Sequence, residues 1–153
     1  MEKFQENLRE AIRAMQIADH MAYVTFPLVN EQRLLLKIFD EIHKSILLSI
    51  TALLNYECLH KNINIYTDNQ ENLKTFQKCA KQYNISDQQI KTIMEIIELN
   101  IEHKASSMEF VRKDKIVILS DNLRTRTLGI QKIKEYLLLA KELLMKVNLK
   151  TKE

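Results

Sequence analysis

The sequence predicts an all-α fold, an up-and-down helical bundle of four to five main helices in a single domain over residues 1–153. Three observations carry this. Apolar residues recur every three or four positions through most of the chain, the period of a helix with one face on a core. There is one glycine, Gly129, and one proline, Pro27, so turns that need positive φ are expected to be scarce and long helices favoured. Hydroxyl-x-x-Gln signatures mark two helix starts, at Thr67 and Ser86.

Over residues 2–24 the positions Phe4, Leu8, Ala11, Ile12, Met15, Ala18 and Ala22 gather on one stripe, which makes a first helix. It is expected to end at Thr25-Phe26-Pro27, because proline lacks an amide donor and pushes its predecessor out of the helical region. A second, long helix spans 30–60 with Leu35, Ile38, Phe39, Ile42, Ile46, Ser49, Leu53 and Tyr56 on its stripe. Leu47, Leu48 and Leu54 lie off that stripe, so this helix is either central or covered by a second copy, hence an expected homodimer. After a loop over 62–68, the two capped helices follow at about 69–83 and 87–104. Residues 106–126 are irregular. There Lys115-Ile116-Val117-Ile118-Leu119 allows an extended piece or a helical turn, and Ser120-Asp121-Asn122 is turn chemistry. A last helix, about 128–147, closes the bundle, and no pleated layer is expected within it.

The charge is uneven. The net +3 is small for an obligate nucleic-acid binder, yet residues 104–153 hold 12 basic and 6 acidic side chains against 11 and 14 before them. Cys58 and Cys79 form no CxxC and no disulfide framework, which points to reduced thiols and a cytoplasmic address; with the six methionines they read as core packing. The longest apolar run, residues 46–54, is far shorter than the ~20 residues a membrane span needs, and no membrane partner is expected.

Candidate chemistry is sparse. Arg112, Lys113, Lys115, Arg124 and Arg126, with Lys132 and Lys134 following, form a basic concentration that could rim a phosphate, with Phe110 nearby as a stacking group. Asp19 falls on the core-facing stripe of the first helix, where a buried carboxylate needs a tyrosine, histidine or basic partner. The pairs Asp40-x-x-His43 and Glu57-x-x-His60 have carboxylate–histidine spacing but share one helix about 25 Å apart. Neither a metal nor a cofactor is therefore expected. The function these features favour is a non-enzymatic interaction module whose basic C-terminal third contacts RNA or an acidic protein.

Two resemblances add expectations. The segments 18–29, 33–38 and 108–123 resemble a family of short helical proteins of small-genome (DPANN) archaea over nearly the whole chain, which implies a lineage and no mechanism. Two long N-terminal helices, a helix ending in Ile97-Glu98-Leu99-Asn100-Ile101-Glu102-His103 and a final helix are similar to HEPN-type bundles. In that family an Arg-x4-6-His pair handles the scissile phosphate and the 2′-hydroxyl. Here the position of that motif holds Asn100 and His103 without an arginine, and the literal spacing, Arg13 to His20, lies on the first helix. The alternative function this resemblance implies is a HEPN-like, metal-independent endoribonuclease using Arg13 and His20, with Asp19 orienting the histidine.

Overall fold

The computed structural model describes residues 2–60, 63–65 and 68–152. The described residues form six α-helices and a three-stranded sheet: α1 Lys3–His20, α2 Phe26–Val29, α3 Leu34–Leu59, α4 Asn69–Cys79, α5 Asp87–Ala105, β1 Met108–Arg112, β2 Lys115–Leu119, β3 Thr125–Leu128 and α6 Ile130–Thr151. The fold is mainly helical, as the periodicity predicts.

The centre is α3. Leu35, Ile38, Phe39, Ile42, Ile46 and Leu53 are fully buried, and the helix packs against α1, α4, α5 and α6. The pairs Phe4–Tyr56, Asn7–Asn55 and Ala11–Ser45 show that α1 and α3 run antiparallel. Alanines at 11, 14 and 18 bring the α1 backbone close, and the buried Ser45 hydroxyl donates to the Ala11 carbonyl at 2.8 Å. The centrality of α3 removes the expected dimer surface. Leu54 is buried, Leu48 packs against the core, and Leu47 alone of the three is exposed.

The first helix does not stop before Pro27. It passes into a π-helical turn, Met21–Thr25, and then into α2, ending only where Asn30 turns left-handed with φ 52°. Phe26 N–H bonds to the Met21 carbonyl, five residues back, so α2 begins afresh and Pro27 occupies a first-turn position where no amide donor is required.

Capping places the next elements. The Ser86–Gln89 box opens α5 as expected. Asn62 and the cap expected at Thr67 lie outside the described residues; Asp68 caps α4 by accepting from Gln70 N–H at 2.9 Å. A 3₁₀ turn, Ala80–Tyr83, joins α4 to Asn84, and the Tyr83 hydroxyl donates to buried Glu57 on α3 at 2.9 Å. Burial and that bond push the Tyr83 hydroxyl pKa well above the usual tyrosine range. Cys79 is buried and Cys58 half-buried, both free thiols. Met15 and Met21 pack on the core, whereas Met108 and Met145 are more than half exposed on the outer faces of the sheet and of α6.

The irregular segment is the main departure. Strands β1, β2 and β3 form an antiparallel meander in that order, a small pleated layer where none was expected. Ile116, Ile118 and Leu128 are fully buried and belong to the same core as the helices. Positive φ, expected to be scarce for want of glycine, occurs at Asn30, Asn84, Lys113 and Leu123, while Gly129 is extended. Asparagine tolerates that region through its short polar side chain; lysine and leucine do not, so the two sheet turns are strained. Among the described residues no helix is long and apolar enough to cross a membrane.

Candidate nucleic-acid interface

The register of the meander sorts its side chains onto two faces. Glu109–Ile118–Arg126 and Val111–Ile116–Leu128 form rows on one face; Met108–Leu119–Thr125, Phe110–Val117–Thr127 and Arg112–Lys115 form rows on the other. The inner face packs on the helices except at Val111, which stays 38% exposed. Besides the three buried aliphatics, Arg126 Nη1 reaches Glu102 Oε2 on α5 at 3.1 Å, and Glu109 bonds His103 Nδ1. His103 is nearly buried, its ring edge against Phe39, with Nε2 3.3 Å from Asp40 Oδ1 but too poorly aligned for a hydrogen bond. These pairs bolt the sheet to α3 and α5.

Among the described residues the outer face makes no such ion pair, and it has a distinct chemistry. Phe110 remains 37% exposed beside Val117, which its neighbours cover. Arg112 and Lys115 stand directly opposite each other, a like-charge cross-strand pair that destabilises a sheet. Between them the two-residue turn Lys113-Asp114 places Lys113 at φ 58°, where glycine would be unstrained. Three cations thus crowd one end of a hairpin against both electrostatic and backbone preference.

Two open grooves border this end. One, of about 290 Å³, is lined by Arg112, Lys113, Lys115, Val117 and Thr127; the other, of about 360 Å³, shares Asp114, Lys115 and Thr127 with it and runs along the first turn of α6. Both are small and open for an enclosed small-molecule site, and suit an extended chain lying across the surface. The Lys115 stem passes so close to Gly129 that a Cβ there would sit 3.3 Å from Lys115 Cγ.

The basic concentration seen in the sequence therefore divides. Arg112, Lys113 and Lys115 share one exposed end; Arg124 lies exposed in the loop at the opposite end of β2; Arg126 points inward to Glu102 and is not available to a ligand. On α1, Arg13 and His20 are both exposed and line neither groove. Asp19 is not buried: its side chain is 41% exposed and pairs with Lys141 on α6 at 2.5 Å, the basic partner expected of it. Successive residues of a helix diverge by about 100°, which turns Asp19 toward α6 and His20 away. Asp40 lies near His103 beneath the sheet, His43 stacks on Phe39, and His60 sits against Tyr56. Among the described residues no three His, Cys, Asp or Glu side chains converge as metal ligands.

The features missed from sequence were the facing of Phe110 with Arg112 and Lys115, and the strained Lys113. Alternation over 108–112 and a two-residue gap before 115 were the available signals, without the Asn-Gly or Gly-x turn that marks a hairpin. No protein-family model matches the chain, and no curated protein or solved structure shows significant similarity to it.

Proposed function

We propose that the protein is a non-enzymatic module that binds single-stranded RNA on the outer face of its sheet. The observation that carries this is the register: it sets Phe110 on the same solvent face as the opposed Arg112–Lys115 pair. An exposed aromatic on a sheet stacks an unpaired base, and flanking cations take the adjoining phosphates. An acidic protein would use the cations but gain little from Phe110, so the aromatic favours RNA.

The strained Lys113 supports the same assignment, since local strain that stability does not explain is concentrated at functional positions. Binding of a labelled oligouridylate, followed by fluorescence anisotropy at low salt, tests it. Phe110→Ala should weaken binding about tenfold, within the 1–3 kcal/mol a stacking aromatic supplies, and Arg112→Ala with Lys115→Ala should weaken it further. Retention of wild-type affinity by both variants refutes the assignment, and binding of an acidic peptide in preference to RNA replaces the ligand.

A further inference from the structure

The groove along the first turns of α6 does not end there. Through Gln131 and Glu135 it meets a third groove of about 280 Å³, formed by Tyr23, Leu138, Lys134 and Lys141. Tyr23 is 51% exposed, with Lys134 Nζ 5.0 Å and Lys141 Nζ 5.7 Å from its ring centre. It stands in the π-helical turn Met21–Thr25, a local departure from α geometry of the kind that recurs at functional sites.

From Gln131 to Lys141 the helix advances about 15 Å, so the three grooves make one surface path from the hairpin turn to the end of α1. The path carries Arg112, Lys113, Lys115, Lys132, Lys134 and Lys141 against Asp114 and Glu135. Lys132 is shared with Glu135 and Glu95, and Lys141 with Asp19. Among the described residues Lys134 has no carboxylate partner, only the Tyr23 ring.

We infer that Tyr23, with Lys134 and Lys141, is a second stacking platform for the same RNA strand, engaged only by strands long enough to leave the sheet and follow α6. This rests on the sheet face binding RNA. A base takes the Tyr23 ring while Lys134 moves from the ring to a neighbouring phosphate, and Lys141, held by Asp19, stays beside the ring. The strand then spans two aromatic anchors joined by a basic groove, the pattern of sequence-tolerant single-strand binding.

Oligouridylates of about 4 and about 16 nucleotides, the extremes of the range such sites cover, separate the two claims. In anisotropy titrations, Tyr23→Ala and Lys134→Glu should each weaken the long strand about tenfold and change the short one less than twofold, whereas Phe110→Ala should weaken both. Tyr23 and Lys134 are surface groups, and an unchanged thermal melt of each variant certifies the fold. Loss of neither strand, or equal loss of both, in the Tyr23 and Lys134 variants overturns the second platform while a Phe110 effect keeps the first. Absence of a Phe110 effect overturns the sheet assignment itself.

Discussion

At Lys113 a single residue stands against stability. Its φ of 58° costs an L side chain about 1 kcal/mol relative to glycine, and it adds a third cation beside Arg112 and Lys115. Lys113→Gly is therefore expected to raise stability in urea by about 1 kcal/mol while weakening RNA binding; a variant that is both less stable and unchanged in affinity contradicts this. His43 sets a pH dependence. Burial lowers its pKa below the ordinary imidazole value of 6.5, with Asp40 opposing that shift and Lys104 reinforcing it. The folded state thus favours the neutral ring, and its contribution to stability is present above pH 6.5 and lost as pH falls through the lower folded value. Unfolding midpoints measured from pH 7.5 downward should fall more steeply for the wild type than for His43→Gln.

Among the elements, the α4 region and the sheet are attached to the bundle in different ways. The turn after α4 is fixed to α3 by Tyr83 and the buried Glu57. Tyr83→Phe withdraws a donor from a buried carboxylate and should destabilise by roughly 1.5–3 kcal/mol in chemical denaturation, with little effect on binding. The sheet is attached by Ile116, Ile118 and Leu128 together with two polar pairs, Arg126–Glu102 and His103–Glu109. Arg126→Ala should consequently loosen the sheet without removing a phosphate contact. Increased amide exchange over β2 and β3, at an unaltered salt dependence of RNA binding, is the expected result.

For the molecule as a whole, the small net charge of +3 conceals a path of cations on one side. Each phosphate neutralised on a single strand contributes about 0.7 to the slope of log affinity against log salt. Three cations at the hairpin predict a slope of about −2 for a short strand. A steeper one is expected for a strand that also reaches Lys134. Arg112→Ala with Lys115→Ala should flatten the short-strand slope by about 1.4, and a slope insensitive to the double variant would exclude direct phosphate contacts there.

The helices were legible because a 3.6-residue period is written in the sequence itself. The stripes Phe4–Leu8–Ala11 and Ile38–Ile42–Ile46, and the Ser86 box, needed no tertiary information. The continuation past Pro27 was not legible, because it depends on a π turn that the chain adopts in context. Nor was the pairing of Asp19 with Lys141, 122 positions away. The local sequence determined which segments are helical and which end is basic. Only the tertiary structure decided which charges are usable, because strand register and long-range ion pairs turned Arg126 inward and left Phe110, Arg112 and Lys115 together on an open face.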